Sequence, residues 1–305
     1  MARFGGTRAT WIDLSTGINP TPYAPPALSD TAWTALPDSA AQARLEAAAR
    51  AFWSVPDAAE VIAAPGASAL IAQMPSLTTA QKVQIDGPTY NEHAAAFALA
   101  GKPLAKTAPA QVVVHPNNPD GRLWSASDLG GADLCVIDES FCDVTPAHSH
   151  IARAATPGTV VLKSFGKFWG LAGLRLGFAI AHPETFARGQ GRLSERLGPW
   201  AVSGPALEIG AAALEDLAWA EATRASLLQE AARLDGLLAA KGATLVGGTS
   251  LFRLYDVGAA QAWQTALARN HVWSRIFPYS SRWLRLGLPP RTRWGQLETA
   301  LEACP

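Results

Sequence analysis

Along the chain, short runs of consecutive apolar residues alternate with stretches whose apolar positions recur every three or four residues. Val61-Ile62-Ala63-Ala64, Gln111-Val112-Val113-Val114, Leu134-Cys135-Val136-Ile137 and residues 159–163 are the runs, and the alternating Lys82-Val83-Gln84-Ile85-Asp86 stands with them as a predicted strand. Each is bounded by Gly, Pro or polar residues, which predicts strands buried on both faces. Residues 174–181 predict a further strand. A helix is predicted from a cap at Asp38 or Ser39 to about Trp53, with Leu45, Ala48, Ala49 and Phe52 on one face. Another begins at Gly66-Ala67-Ser68 and is ended by Pro75. A third runs from about Asn91 to Ala100, and Gly101 suits the position after its last turn.

After Gly198-Pro199-Trp200-Ala201-Val202-Ser203-Gly204-Pro205, one long helix is predicted from about Ala206 to Lys241. Leu227, Ala231, Leu234 and Leu238 form its buried stripe. The rest predicts strands at 244–246, 251–255, 272–277 and 283–288, with helices near 259–269 and 292–303. Residues 1–35 hold so many Pro, Gly and Thr that an extended arm is expected. The fold class that follows is α/β: a large domain with a mainly parallel sheet sandwiched by helices, plus a small α+β C-terminal domain. The expected boundaries are 1–35 for the arm, 36–205 for the large domain, and 206–305 for the long helix with the small domain.

Polar residues cluster at one place in this pattern. Gly66, Tyr90, Asn118, Asp138 and Lys167 each fall just past the C-terminal end of a predicted strand. In open α/β sheets that edge binds ligands. The stretch Ser164-Phe165-Gly166-Lys167-Phe168-Trp169-Gly170-Leu171-Ala172-Gly173-Leu174-Arg175-Leu176-Gly177 sets a hydroxyl, a lysine and an arginine among glycines. A lysine in such apolar surroundings is poorly solvated, which disfavours its ammonium and suits an amine that attacks a carbonyl to form a Schiff base. Arg175 suits a phosphate. By local pattern alone, Asp138 is also a cap for the residues after it, Asn118 part of a good turn, and Tyr90 a core aromatic.

Bulk composition narrows the class further. The 305 residues carry 25 basic and 25 acidic side chains, so neither a nucleic-acid nor a membrane surface is expected. The three cysteines show no metal spacing, so no metal site is expected. No apolar run reaches the length of a membrane span and no signal peptide is evident, which leads to an expected cytoplasmic location.

LSTGINP at 14–20, APGASAL at 64–70, GPTYNEH at 87–93, PNNPDGR at 116–122 and IDESF at 137–141 stand in order. They are followed by SFGKFWGLAGLRLGFA at 164–179, GPWAVSGPA at 198–206 and WLRLGLP at 283–289. Taken together, the chain resembles the fold-type-I pyridoxal-phosphate enzymes of the aspartate-aminotransferase-like group. Within it, the chain is similar to the cobalamin-biosynthetic branch of threonine-phosphate decarboxylases, close to histidinol-phosphate aminotransferases. The resemblance implies pyridoxal 5'-phosphate as cofactor, with Lys167 as the Schiff-base lysine and proton carrier and Asp138 as the partner of the pyridine nitrogen. It implies Tyr90 as the aromatic stacked on the ring and Asn118 as donor to the ring oxygen. Gly66, Ala67, Ser68, Ser164 and Arg175 would form the phosphate site.

For substrate, the resemblance implies Arg285 at the carboxylate, with Asn118, Asn19 and the backbone near Gly17 lining the molecule. The implied reaction converts L-threonine O-3-phosphate to (R)-1-amino-2-propanol O-2-phosphate and CO2. Transamination of a phosphorylated amino compound, of the histidinol-phosphate type with 2-oxoglutarate, is the alternative, because the same residues serve either outcome. A non-catalytic regulator on the same fold is the further alternative; Lys167 and the absence of a basic patch speak against it. A homodimer with the site near the subunit interface is expected. Phe141, Leu36, Phe4-Gly5-Gly6-Thr7 and the short segment 123–133 depart from the family pattern. Arg275, Arg282, Arg153 and Arg122 are candidates for the substrate's phosphate.

Overall fold

The computed structural model describes residues 3–189 and 191–305, and among them the chain divides into two units. One consists of Met1–Pro22, Pro119–Arg122 and Ala220–Pro305; the other of Tyr23–Asn118 and Leu123–Trp219.

In the smaller unit, the two-residue strand β1 (Ile12–Asp13) opens the chain. The larger unit is built on a six-stranded sheet of β2 (Glu60–Ala64), β3 (Val83–Ile85), β4 (Ala110–Val114), β5 (Leu134–Asp138), β6 (Thr159–Ser164) and β7 (Gly177–Ala181). Their order is β2-β7-β6-β5-β4-β3, and β7 alone runs against the others. Every residue of β4, β5 and β7 is buried, as the uninterrupted apolar runs require. Leu70, Ile71, Phe97, Val112, Val136, Val160 and Leu162 belong to one packed core on this sheet. Parallel β3, β4, β5 and β6 therefore end at a common edge, where Asp138 closes β5 and Tyr90, Asn118 and Lys167 follow the other three.

The helix Ser39–Trp53 starts where the Asp38 side chain accepts from Ala41 N at 2.8 Å. The stretch expected as one helix from Ala206 to Lys241 is two helices, Gly204–Glu215 and Leu217–Ala240. Asp216 causes the break: its side chain accepts from Trp219 N at 2.9 Å, a bond available only outside regular helix. The strand expected over 174–181 begins later, at Gly177. Arg175 takes a left-handed backbone (φ 53°) and Ala172–Leu174 forms a 3-10 turn. The short segment 123–133 holds only the 3-10 turn Ala126–Leu129.

The smaller unit carries a four-stranded antiparallel sheet of β8 (Thr244–Thr249), β9 (Phe252–Asp256), β11 (Arg275–Phe277) and β12 (Ser280–Gly287), in the order β11-β12-β9-β8. The two residues of β10 (Val272–Trp273) pair instead with β1, in parallel, so the strand expected over 272–277 is divided at Ser274. Helices Ala260–Arg269 and Trp294–Glu302 complete it. Leu227, Ala231, Leu234 and Leu238 are buried as the stripe predicts. No helix of the described residues is long and apolar enough to cross a membrane.

Candidate active site

Burial of aromatic side chains places Lys167. Phe165, Phe168 and Trp169 around it are fully buried, and Trp169 lies stacked between Phe165 and Trp219 with centroids 5.2 Å from each. Leu171 N–H donates back to Phe165 O at 3.1 Å, closing the loop. Lys167 itself stays half-buried, and its Nζ stands 5.2 Å from the centroid of the Phe141 ring.

A cavity of about 120 Å³ in the larger unit is lined by Ala67, Ser68, Tyr90, Asn118, Asp138, Ser164, Lys167 and Arg175, with Phe141 among its walls. The structure thus brings together most of the residues expected from the sequence. Gly66 adjoins them through Arg175: a Cβ at Gly66 would lie 2.5 Å from Arg175 Nη2, and its φ of 92° is open chiefly to glycine. Likewise, a Cβ at Gly177 would lie 2.4 Å from Ala67 N. The two glycines let β7 and the Arg175 guanidinium close against the start of the helix Ala67–Gln73. Backbone amides, two hydroxyls and a guanidinium there make a cradle for a phosphate-like anion.

Asp138 ends β5 and is only 2% exposed. His93 Nε2 lies 2.8 Å from its Oδ2, and Ser140 donates to Oδ1 through N–H at 3.0 Å and Oγ at 2.5 Å. Burial alone would raise the Asp138 pKa. The bond and charge of His93 and the two Ser140 donors outweigh it, holding the carboxyl below its ordinary value. Asp138 is therefore a fixed, ionised carboxylate, suited to keep a protonated ring nitrogen charged. Tyr90 precedes the helix Asn91–Leu99 and meets His93 edge-on at 6.1 Å. Its pKa is raised by burial first, then by Glu92 and Asp138, so the phenol is neutral in ordinary buffers.

Two features escaped the sequence reading. His93 is one: it sits three residues after Tyr90, one helical turn on, and the signal was that a carboxylate at a buried strand end needs a donor. The other is a buried polar network beneath the site. Lys163 Nζ donates to Glu139 Oε2 at 2.6 Å and lies 3.7 Å from Asp143 Oδ1. Glu139 also accepts from Ser149 Oγ at 2.6 Å and His150 N at 2.5 Å, and Asp143 accepts from Trp53 Nε1 at 2.9 Å. Burial would strip the Lys163 proton, but Glu139 and Asp143 prevail and its pKa rises. The network ties the residues just after Asp138 to those just before Lys167.

Gly17, Asn19 and Arg285 belong to the smaller unit. Gly17 is buried, and the Asn19 side-chain Oδ1 accepts from Thr21 N at 2.9 Å. Arg285, on β12, is 7% exposed; it donates to Ser15 O and lies 5.3 Å over the Phe252 ring. Burial, and then neighbouring Arg275, lower its pKa to about 10, which leaves it charged at neutral pH. Such a poorly hydrated cation suits a carboxylate or phosphate.

The aminotransferase class I and II family matches residues 9–303. A threonine-phosphate decarboxylase of Sinorhizobium sp. is 38% identical, covering 95% of this chain and 90% of the relative. One of Pseudomonas aeruginosa is also 38% identical, covering 96% and 92%. Among solved structures, the histidinol-phosphate aminotransferase of Sinorhizobium meliloti in complex with pyridoxal-5'-phosphate shares the fold. Its TM-score is 0.79 at 18% identity, covering 95% of this chain and 90% of that one.

Proposed function

The chain belongs to the aminotransferase class I and II family, and from that premise we propose that it holds pyridoxal 5'-phosphate at Lys167 and decarboxylates L-threonine O-3-phosphate. The observation that carries the reading is the gathering of Lys167, Asp138, Asn118, Tyr90, Ser164 and Arg175 around one cavity. A lysine, a hydrogen-bonded carboxylate and an anion cradle are what this cofactor requires, and the Gly66–Arg175 approach leaves no room for a side chain in the cradle. When bound, pyridoxal phosphate supplies an aldehyde carbon for an amine and a ring that draws off the electron pair of a bond broken at Cα.

The chain's residues do the rest. The backbone at Gly66, Ala67 and Ser68, with Ser164 and Arg175, holds the phosphate. Asp138 would keep the ring nitrogen protonated, Asn118 would donate to the ring oxygen and Tyr90 would pack against the ring. Lys167 would hold the cofactor through Nζ and, with substrate bound, would carry a proton there. When the bond from Cα to the carboxylate breaks, CO2 leaves and the Nζ proton is delivered to Cα. The product is 1-amino-2-propanol O-2-phosphate, and no oxidant or reductant is consumed. Arg285 is assigned to the substrate's carboxylate. A homodimer is part of the reading, supported by Trp33, Leu36 and Trp200, which stand 72%, 66% and 52% exposed on the larger unit. A place in cobalamin biosynthesis follows from the substrate.

The test supplies the chain with pyridoxal phosphate and L-threonine O-3-phosphate, without keto acid, and measures CO2. Repeated turnover, lost in Lys167→Ala, is the expected result. Glutamate formation from histidinol phosphate and 2-oxoglutarate, with no CO2 from threonine phosphate, overturns the reading in favour of transamination.

A further inference from the structure

We propose that the Phe141 ring holds Lys167 towards its ammonium form, as a proton giver, and that this makes Phe141 a determinant of decarboxylation over transamination; the second half rests on the function proposed above.

Nζ of Lys167 lies 5.2 Å from the Phe141 ring centroid, within reach of the negative face of the π system. Phe141 is 4% exposed, so bulk water does not screen the contact from the ring side. The ring is also held in place from behind. Cys142 N–H donates to Glu139 O at 3.0 Å, and Glu139 is fixed by Lys163, Ser149 and His150. Lys167 is anchored by the buried aromatics on both sides of it. The charged or titratable groups that share its cavity are Asp138, Arg175 and Tyr90. Asp138 favours the ammonium and Arg175 opposes it; the phenol of Tyr90 is neutral. Beside these lining residues, the ring face adds a bias towards the charged amine. Partial burial acts the other way.

The charge on Lys167 selects between the two reactions by simple balance. Loss of CO2 leaves an electron pair at Cα, and that pair needs a proton, which an ammonium carries. Transamination starts with removal of the Cα hydrogen, and an ammonium has no lone pair with which to take it. Orientation of the substrate decides which bond is weakened. The protonation state of Lys167 decides whether the competing C–H cleavage finds a base. An aliphatic side chain of similar bulk in place of Phe141 removes the π face and leaves the volume nearly filled.

The test has a readout that needs no bound cofactor. The apo chain is exposed to cyanate, which modifies only the neutral amine, across pH 6 to 11, and modification of Lys167 is followed by peptide mass spectrometry. In Phe141→Leu the midpoint is expected to fall by about half to one pH unit relative to wild type, the size of a partly desolvated cation–π contact. Phe141→Tyr keeps a ring face and is expected to keep the midpoint within about 0.3 unit. In the loaded enzyme, the ratio of transamination to CO2 release is expected to rise at least threefold in Phe141→Leu and to stay near wild type in Phe141→Tyr. An unchanged or raised midpoint in Phe141→Leu overturns the proposal, as does an equal fall in both variants. A lowered midpoint with an unchanged product ratio overturns the role in reaction choice. A wild-type chain that releases no CO2 overturns the function itself, and that role with it, whatever the cyanate midpoint.

Discussion

Replacing His93 by phenylalanine removes the ring nitrogen that meets Asp138 Oδ2 without opening a large cavity. Both side chains are buried, and Nε2 stands 2.8 Å from Oδ2. Nδ1 of His93 is buried with no hydrogen-bond partner. A buried N–H without an acceptor is costlier than a bare lone pair, so the Nε2 proton is the one that serves Asp138. A hydrogen bond to a charged group contributes about 1.5–3 kcal/mol. Losing it leaves the carboxylate with the two Ser140 donors on its other oxygen. At about 2–4 °C per kcal/mol for a unit of this size, the melting temperature is expected to fall by roughly 4–10 °C. The sign of the pH dependence follows from the depressed Asp138 carboxyl. Its contribution is present in full above the unfolded carboxyl value near 3.9 and is lost as pH falls through the lower folded value. The gap between wild type and His93→Phe is therefore expected to be flat from pH 5 to 8 and to close only in more acidic buffer. His93→Gln keeps an N–H donor and is expected to recover part of the loss. Scanning calorimetry of the three proteins across that range is the assay. A melting point within 1 °C of wild type at pH 7 refutes the role of the bond. A gap that closes between pH 5 and 8 refutes its assignment to the Asp138 carboxyl.

Further substitutions probe the cradle, the network and the small-unit cation. Gly66→Ala sets a Cβ 2.5 Å from Arg175 Nη2 and strains the backbone at φ 92°, so affinity for pyridoxal phosphate is expected to drop at least tenfold by fluorescence titration; wild-type affinity would contradict the cradle. Lys163→Met leaves Glu139 buried without its countercharge and is expected to cost about 3–5 kcal/mol in denaturant unfolding, the usual toll of breaking a buried pair. Arg285→Lys exchanges a planar fork for a point charge, so KM for threonine phosphate is expected to rise roughly tenfold, with a smaller change in kcat.

The strands of the larger unit were legible because parallel strands buried on both faces need unbroken apolar runs. Most residues lining the cavity were legible because they stand at or just past the ends of those strands. What escaped has a common cause in contacts between distant segments. His93 reads as one more polar position on a short helix; only the folded chain sets it against Asp138, 45 residues on. Lys163 stands at the end of an apolar run, and it is fully buried because Glu139 waits just past the end of the neighbouring strand. Asp216 looked compatible with a continuous helix, since the apolar stripe passes it by. Its side chain nevertheless takes the Trp219 amide and ends one helix while starting the next. The predicted desolvation of Lys167 also needed the fold to complete it: the residue is half-buried and faces a ring that the sequence marked only as a departure from the family pattern.

The central claim is that Lys167 adds a proton to Cα after CO2 has left, and turnover of L-threonine O-3-phosphate in D2O tests it most directly. Each CO2 released is expected to be matched by one aminopropanol phosphate in which C1 keeps the original hydrogen and gains a single deuterium, read by NMR. Keto-acid formation, or recovered substrate carrying deuterium at Cα, would contradict the account, because either result means that the Cα–H bond is the one that breaks.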